Sequence, residues 1–256
     1  MAQETYAARV IVLRKTKLGE ADLILTMLAE NGSQIRAVAK GARKPAGSFA
    51  ARLELYSVVD ALFARGRALD IVKEARLVES NEPLRRDMEH AAAAAPMAEL
   101  LDRETQMGLE NPQLFALTRT AFSCLGSVGA DKAPLICAAH LLKALAFAGL
   151  RPNLVTCVAC GTPVSLEGAD PFVPLSYREG GVLCHACRTH TETIMLPVST
   201  IGAINVLISS TFSQLTVLDM DVSSSFAVLR FCQQWIREHV GANLKSLNFL
   251  FTCGMF

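Results

Sequence analysis

The first eighty residues carry a short-range alternation of apolar and polar side chains that predicts β-strands. Five segments are rich in apolar and β-branched residues, and they lie within residues 5–13, 21–28, 30–40, 51–64 and 68–79. Asn31-Gly32 is a strong hairpin signal, because both residues tolerate positive φ. Five short strands in about eighty residues predict a small barrel of the OB-fold type. Periodicity alone does not separate it from an SH3-like barrel.

Two interruptions divide the later strands. Residues 40–50 contain glycine, proline and serine at Gly41, Pro45, Gly47 and Ser48, which break any regular pattern. Arg52 is predicted to open the fourth strand after this loop. A turn at residues 65–67 is predicted to lead into the fifth.

Beyond Pro83 the apolar residues recur every three to four positions, which is the period of an α-helix. Helices are predicted at residues 84–107, 112–125, 134–149, 197–208 and 223–240. The helix at 134–149 is apolar nearly all round, which is typical of the centre of a bundle. Gly149 is positioned to cap its C-terminus.

These patterns predict a multidomain α+β protein. An OB-fold β-barrel is expected over residues 1–80, followed by an all-α helical domain over residues 81–256. Residues 154–192 interrupt the helical pattern and are predicted to form an inserted metal-binding module.

Composition excludes a disordered chain, since 51% of the residues are hydrophobic and 19% are charged. The first ten residues lack the basic and apolar regions of a secretory signal. The apolar stretch at 133–150 carries His140 and Lys143 and is barely long enough to cross a bilayer, so a buried helix is predicted there. Eight cysteines without a signal indicate a reducing cytoplasm and no membrane partner.

Two Cys-x-x-Cys pairs with 23 residues between them are the most specific motif of the chain. They comprise Cys157, Cys160, Cys184 and Cys187. Zinc prefers four thiolates in a tetrahedron, and each Cys-x-x-Cys turn supplies two of them. The spacing therefore predicts one Zn²⁺ held by all four cysteines.

Other interpretations of these cysteines are open. They could be unmetallated thiols packed as small apolar side chains, or a redox pair, although a redox motif normally begins a helix after a strand. His185 could replace one thiolate, whereas His190 is predicted to be a surface residue. The other cysteines are predicted to be core or near-core thiols, at Cys124, Cys137, Cys232 and Cys253.

The predicted zinc is structural rather than catalytic. A catalytic zinc keeps one coordination position for water, and four cysteines fill the shell. The zinc-deaminase signature places a proline before Cys-x-x-Cys, whereas Thr156 and Leu183 precede the pairs here. No His-Glu-x-x-His motif occurs either. The sequence therefore predicts a protein that is not an enzyme, with a zinc hydrolase or deaminase as a distant alternative.

Positive charge is concentrated at one end of the chain. Residues 1–76 contain 13 Lys and Arg against 8 Asp and Glu, a balance of +5, whereas the rest contain 12 and 16, a balance of −4. This asymmetry predicts that the barrel meets a polyanion such as nucleic acid. The candidate DNA-binding residues are Arg14, Lys15, Lys17, Arg36, Lys40, Arg43, Lys44 and Arg52.

Arg36 and Lys40 are an even number of residues apart, so they should share one face of a strand. Phe49 is the best candidate for base stacking because it lies in the basic loop. Tyr56 and Phe63 are expected in the core. Sparse aromatic residues favour contact with the phosphate backbone over sequence readout. The alternative is that these are ordinary solvated charges.

The stretch from Arg14 to Pro45 resembles the N-terminal domain of the RecO family of bacterial recombination mediators. The shared features are Gly19, Glu20 and Asp22 before an apolar strand, a hairpin, and the Ala39–Arg43 loop. The resemblance extends over nearly the whole chain, to the paired cysteines and the ending at residues 244–250. Members of the family often carry a basic residue where this chain has Ser48.

The resemblance implies a mediator of recombination in DNA repair rather than an enzyme. It implies binding of single- and double-stranded DNA, annealing of complementary strands, and contact with the C-terminal tail of single-strand binding protein. With RecR, such a protein helps to load RecA, so RecA is an indirect partner. It also implies a bacterial cytoplasmic location at the nucleoid and an embedded structural zinc.

The alternative function is a protein–protein adaptor that is stabilised by a structural zinc. In that interpretation the basic patch recognises an acidic peptide rather than DNA.

Overall fold

A computed structural model describes residues 4–44, 49, 51–166, 170–189 and 191–256. The chain divides into two compact units, residues 1–128 and 129–256. The boundary predicted at residue 80 separates the barrel from the helices that follow it, and it lies inside the first unit. As a boundary of independent folding it stays a prediction.

Five strands in the first unit close into a barrel. They are β1 (Thr5–Leu18), β2 (Asp22–Ala29), β3 (Gln34–Ala39), β4 (Val58–Ala64) and β5 (Asp70–Glu79). The order around the barrel is β1-β2-β3-β5-β4, and β3 and β5 form its single parallel pair. This five-stranded closed barrel confirms the predicted OB-type architecture.

Alternate residues of the strands supply the barrel core. Val10, Val12, Leu25 and Met27 have no exposed surface, and Phe63 is buried with them. Because side chains of a strand point to opposite faces in turn, the residues between them face outward. The barrel core is thus built from the period-2 pattern seen in the sequence.

The hairpin predicted at Asn31-Gly32 joins β2 to β3. Gly32 has φ of 84°, and its N–H donates to the carbonyl of Ala29 at 2.8 Å. A Cβ at this position would lie 1.9 Å from the backbone oxygen of Asn111. Glycine is therefore required here both for its backbone conformation and for the close approach of a neighbouring segment.

Two strand boundaries differ from the prediction. β1 does not end at residue 13 but continues through the basic run to Leu18, paired with β2. The prediction that Arg52 opens the fourth strand is wrong, because β4 begins at Val58. Leu53 turns into the core instead, and Tyr56 adopts a positive φ of 68°, which interrupts any strand before Ser57.

Three helices complete the first unit: α1 (Pro83–Arg86), α2 (Met88–Glu104) and α3 (Pro112–Leu125). The helix predicted at 84–107 is divided, because Asp87 is extended at φ −98° and ψ 130°. Arg85 fixes this corner by donating to the carbonyls of Leu55 and Ser80, both at 2.6 Å.

The second unit contains α4 (Ala133–Phe147), α5 (Val198–Ser209), α6 (Phe212–Val217), α7 (Val222–His239) and α8 (Lys245–Thr252). As predicted, α4 is central, and it packs against α5 and α7. Lys143 of α4 donates to the carbonyl of Ile208 at 2.6 Å, near the C-terminus of α5. Among the described residues, no helix is both long and apolar enough to cross a membrane.

The cysteine module lies between α4 and α5. Its sheet contains β6 (Phe172–Ser176), β7 (Gly181–Val182) and β8 (Ile194–Pro197), in the order β7-β6-β8. The strand β8 lies wholly outside the predicted module bounds of 154–192. The helical second unit with an embedded four-cysteine module confirms the predicted fold class.

Candidate metal centre and nucleic-acid interface

The first cysteine pair forms a tight backbone knuckle. The N–H of Gly161 donates to the carbonyl of Cys157 at 2.8 Å, and the N–H of Cys157 donates to Thr162 at 2.8 Å. Gly161 has φ of 75°, a conformation that glycine adopts without penalty. These bonds direct the side chains of Cys157 and Cys160 to one side of the turn.

The second pair follows β7 directly and forms a similar turn. The N–H groups of Cys187 and Arg188 donate to the carbonyl of Cys184 at 3.1 and 3.2 Å. The two turns are held together through β7, because Val158 of the first turn donates to Val182 at 3.0 Å. Two cysteine pairs with 23 residues between them thereby face each other.

The four sulfur atoms fit the geometry of a tetrahedral metal site. All four Sγ atoms lie within 4.8 Å of one another, and those of Cys160 and Cys184 are 3.7 Å apart. A Zn–S bond of about 2.3 Å in a tetrahedron gives a sulfur–sulfur separation of about 3.8 Å. The chemistry of the donors also suits a soft divalent ion such as zinc.

The described part of the chain contributes only cysteines to this group. His185 lies in the second turn, but it is exposed and does not belong to the cluster. His190 lies outside the described residues. The predicted quartet of Cys157, Cys160, Cys184 and Cys187 is therefore brought together without a histidine ligand.

Hydrogen bonding within the module prepares Cys157 to act as a thiolate. Burial works to raise the pKa of its thiol, but the backbone N–H groups of Cys184, Cys160 and Ala159 outweigh burial and lower the pKa to about 6. Hydrogen bonds to Cys184 and Cys160 raise the pKa of Cys187 to about 12. Four thiols this close cannot all ionise without a cation to offset their charge.

The arrangement does not resemble a hydrolytic zinc site. Four thiolates leave no coordination position for water. One His-x-Glu triplet does occur, at residues 190–192, but it follows both cysteine pairs, whereas the deaminase signature places it before a Pro-Cys-x-x-Cys motif. A deaminase or metalloprotease constellation is therefore not assembled by these motifs.

An aromatic cluster anchors the module to α7. Tyr177, in the turn after β6, lies 5.5 Å from Phe231 and 6.2 Å from Trp235, measured between ring centroids. The indole N–H of Trp235 donates to the carbonyl of Leu150 at 2.9 Å, at the start of the module. His239 lies 4.4 Å from the Trp235 ring. The module is therefore fixed to the helices at two points.

Two of the predicted DNA-binding residues are ion-paired. Arg14 pairs with Asp102 of α2 at 3.0 Å. Lys15 pairs with Glu54 at 2.8 Å. In each pair the carboxylate offsets part of the positive charge that a phosphate would meet.

Four other candidates meet at one end of the barrel. The turn after β3 is tied to the turn between β1 and β2, because the N–H of Arg43 donates to Ala21 and its guanidinium donates to Gly19, both at 2.9 Å. Asp22 also accepts from the N–H of Gly41 at 2.7 Å. We call the four exposed cations at this end the barrel-end cluster: Lys17, Lys40, Arg43 and Lys44.

The carboxylates nearest in sequence to the barrel-end cluster are those of Glu20 and Asp22, at the turn between β1 and β2. Among the described residues, none of its four cations lies within ion-pair distance of a carboxylate. Arg36 is likewise exposed and has no ion pair there. It precedes Lys40 by four residues, and its register partner Thr26 lies opposite Arg14. Arg36 therefore continues the positive surface down the outside of β3.

Arg52 and Phe49 lie away from the barrel-end cluster. The guanidinium of Arg52 donates to the carbonyl of Ala75 in β5 at 3.3 Å. Phe49 is half-buried and packs against the barrel core. The rest of the predicted basic loop, at residues 45–48 and 50, lies outside the described residues, and this includes Ser48.

Two exposed cations were missed by the sequence interpretation. Arg67 follows β4, and Lys73 lies at an irregularity in the pairing of β4 with β5. Neither forms an ion pair within the described part of the chain. Both contributed to the charge balance of residues 1–76, but no motif distinguished them from their neighbours.

The remaining aromatic and sulfur assignments agree with burial. Tyr56 and Phe63 are buried, and Tyr6 stacks on Phe63 with centroids 5.3 Å apart. Cys137 and Cys232 are buried core thiols whose pKa values are raised by burial. The remaining two cysteines outside the quartet are half-buried, at Cys124 and Cys253.

Two family models match nearly the whole chain. The model "Recombination protein O N terminal" matches residues 1–81, which contain the barrel. The model "Recombination protein O C terminal" matches residues 85–248, which contain the helices and the cysteine module.

Curated relatives of similar length match as well. The DNA repair protein RecO of Desulfitobacterium hafniense is 31% identical over 245 residues, covering 94% of this chain and 87% of the relative. The Bifidobacterium longum protein of the same name is 33% identical over 248 residues, covering 96% and 98%. That of Cutibacterium acnes is 36% identical over 201 residues, covering 74% and 79%.

Proposed function

The chain belongs to the RecO (recombination protein O) family, and from this membership we propose that it is a recombination mediator in bacterial DNA repair. Membership supports a role in DNA repair and recombination. In the proposal, the protein binds single- and double-stranded DNA and anneals complementary strands. With RecR it helps to load RecA onto DNA coated by single-strand binding protein. It acts without catalytic turnover, in the cytoplasm at the nucleoid.

The barrel-end cluster is the observation that carries this proposal. Its four cations are exposed, lie at the end of β1 and in the turn after β3, and lack ion pairs within the described residues. Hydrogen bonds from Arg43 to Ala21 and Gly19 hold that turn against the turn between β1 and β2. A polyanion such as DNA releases counterions when its phosphates meet such cations, which drives binding. Arg36 extends the same surface.

The proposed mechanism of annealing is electrostatic. Two complementary strands repel each other through their phosphates, and cations at the barrel end would reduce that repulsion. Contacts to phosphate leave the base edges free, so the strands could still pair. The same surface would bind any sequence, as a mediator of repair requires.

The proposal includes two protein partners. An acidic peptide tail would also be attracted to the barrel-end cluster, which suits the proposed contact with the C-terminal tail of single-strand binding protein. The contact with RecR is proposed from the family alone.

The proposal is tested by reversing four charges together, with Arg36→Glu, Lys40→Glu, Arg43→Glu and Lys44→Glu. We expect affinity for labelled single-stranded DNA at low salt to fall at least about 100-fold, since every reversal replaces attraction by repulsion. A control with the same change in net charge reverses four exposed arginines elsewhere: Arg86, Arg103, Arg151 and Arg237. Unchanged affinity of the folded barrel variant would exclude the proposal.

A second variant separates the loss of positive charge from a local folding defect. Because the Arg43 guanidinium binds the Gly19 carbonyl, its reversal could disturb the turn. The triple variant Lys17→Glu, Lys40→Glu and Lys44→Glu keeps Arg43. It should lose affinity in the same direction, with circular dichroism reporting an intact fold.

The alternative function, an adaptor for an acidic peptide, makes a different prediction for the same variants. Both ligands should be titrated against them, labelled DNA in one series and a labelled acidic peptide in the other. Loss of peptide binding with retained DNA binding would favour the adaptor.

We propose that the four-cysteine centre holds one structural Zn²⁺. The ion would supply a fixed tetrahedral link between the two Cys-x-x-Cys turns. Metal analysis of protein purified without chelator should yield about one zinc per chain. A value near zero in folded protein would contradict the assignment.

A further inference from the structure

A groove on the first unit lies apart from the barrel-end cluster. It runs across strands β1, β4 and β5 and is bordered by the turn that contains Phe49 and Arg52. We call it the β1–β4–β5 groove, and the residues that matter for its chemistry are Arg9, Phe49, Arg52, Asp60, Lys73 and Arg76.

Small residues cross this groove in register. Ala8 of β1 lies opposite Ala61 of β4, and Ala61 lies opposite Ala75 of β5. All three line the groove. Ala61 and Ala75 are buried in the barrel core, so the floor of the groove at this row is mainly strand backbone.

One wall of the groove combines an aromatic ring with a guanidinium. The carbonyl of Phe49 accepts from the N–H groups of Arg52 and Leu53, both at 3.1 Å, which closes a turn. Leu53 is buried in the barrel core, and the Arg52 guanidinium is bound to the Ala75 carbonyl. Phe49 and Arg52 are thereby held beside β5, with part of the phenyl ring exposed.

The charges of the groove are nearly balanced, unlike those of the barrel-end cluster. Arg9 and Arg76 share the carboxylate of Asp60, at 2.7 and 2.6 Å. Lys73 and Arg52 have no ion pair within the described residues. Two further carboxylates border the groove, from Glu30 and Glu74.

This mixture suits a nucleobase better than a phosphate. A base offers a π-face for stacking on an aromatic ring, and its edge carries both donors and acceptors. Carboxylates would repel phosphates but can accept hydrogen bonds from the amino groups of bases. Guanidinium groups can donate to base carbonyls and ring nitrogens.

We propose that the β1–β4–β5 groove holds an unpaired base of a single DNA strand whose phosphates lie on the barrel-end cluster. The inference rests on the proposed function and adds the site that distinguishes single-stranded from duplex DNA. Arg9 and Lys17 lie eight residues apart on β1, a separation of about 26 Å along the strand. A single strand of about 4–16 nucleotides, the usual site size of one OB fold, can cover both places.

The test compares three labelled ligands on the full chain: oligothymidylate, an abasic oligonucleotide of equal length, and a duplex. Wild-type protein should bind oligothymidylate more tightly than the abasic strand. Phe49→Ala should lower affinity for oligothymidylate by about 5- to 150-fold, the effect of losing one stacked base, and leave affinity for the abasic strand unchanged. Phe249→Ala, at a half-exposed phenylalanine of α8, is the matched control.

A second variant tests the groove without changing a residue that packs against the barrel core. Arg52→Gln with Lys73→Gln alters two exposed side chains and should reduce affinity for oligothymidylate more than affinity for duplex. Equal binding of oligothymidylate and the abasic strand by wild-type protein would overturn the inference. Unchanged ligand preference in both folded variants would overturn it too.

The outcomes separate this inference from the proposed function. If the barrel-end variants bind all three ligands normally, the proposed function fails. If those variants lose all three ligands while the groove variants discriminate as wild type does, only the groove assignment fails.

Discussion

Glu104, the last residue of α2, carries a largely buried carboxylate. Its Oε2 atom has no hydrogen-bond partner among the described residues, and burial raises its pKa to about 7 from an ordinary value of 4.5. A raised folded-state pKa means that ionisation opposes folding. The penalty is absent below about pH 4.5, grows between pH 4.5 and 7, and is complete above.

Glu104→Gln should therefore stabilise the protein at pH 8 and not at pH 4. The expected gain at pH 8 is on the order of 3 kcal/mol in the free energy of unfolding, the energy of a shift of this size. Urea denaturation at both pH values measures it, with Glu20→Gln as an exposed control. An equal effect of Glu104→Gln at both pH values would mean that its charge is not responsible.

Gly181 opens β7 at a point where no side chain fits. A Cβ there would lie 2.2 Å from the Asn153 oxygen and 2.8 Å from Cγ1 of Val158. Gly181→Ala should lower the free energy of unfolding by about 3 kcal/mol, because backbone must move to relieve the clash. Thermal unfolding followed by circular dichroism measures the loss.

A helical glycine serves as the control for that substitution. Gly202, in α5, has nothing within 4 Å of an added Cβ. Gly202→Ala should raise stability by about 0.5–1 kcal/mol, since alanine favours a helix. Similar losses in both variants would argue against the specific clash at Gly181.

At the scale of elements, the cysteine module is coupled to α7 through its aromatic cluster. Trp235 is the single tryptophan of the chain and is 2% exposed, so its fluorescence reports on this contact. Removal of the proposed zinc by a chelator, or Cys184→Ser, should release the Tyr177 turn and shift Trp235 emission to the red. Structural zinc contributes apparent binding energies of about 10–16 kcal/mol, so a loss of several kcal/mol in stability is expected.

Cys253→Ser, at a half-buried cysteine outside the module, should leave the emission unchanged. DNA affinity is expected to change little when the metal is removed, because the barrel-end cluster belongs to the other compact unit. A sharp loss of DNA affinity in a folded Cys184→Ser variant would show that the module contributes to DNA binding as well as stabilising the helices.

Elements that begin or end with a strong local signal were predicted well. The helix α3 has the predicted bounds of 112–125, since Pro112 suits its first turn, and the Asn31-Gly32 hairpin lies where expected. The interruption at Asp87 and the late start of β4 depend on contacts distant in sequence. The Arg85 guanidinium donates to the carbonyl of Leu55, and the N–H of Tyr56 donates to the carbonyl of Val12. Because both bonds join residues far apart in sequence, no local pattern predicted either feature.

Across the whole molecule, the positive charge is balanced within the first unit. Residues 77–128 contain 4 Lys and Arg against 8 Asp and Glu, which offsets most of the +5 of residues 1–76, whereas the second unit has 8 of each. Two of the acidic residues pair with arginines of this unit, through Arg14–Asp102 and Arg119–Glu79. Net charge thus conceals a local concentration of cations at the barrel end.

This arrangement predicts the salt dependence of DNA binding. If the four reversed cations of the barrel variant each contact one phosphate, the slope of log affinity against log salt for a single strand should become shallower by about 3. Titrations over a range of salt concentrations measure the slope. The four-arginine control should keep the wild-type slope, and an unchanged slope in the barrel variant would mean that these cations do not contact phosphate.

The barrel, the helical second unit and the cysteine quartet could be predicted from the sequence alone, because each depends on spacing along the chain. Hydrophobic period distinguishes strands from helices, and Cys-x-x-Cys geometry is local to each turn. Which cations form ion pairs became clear only from the folded chain. Lys15 and Arg14 find carboxylates 39 and 88 residues away, whereas Lys40 and Lys44 find none among the described residues. Ion pairing depends on distance in space, which the order of residues does not specify.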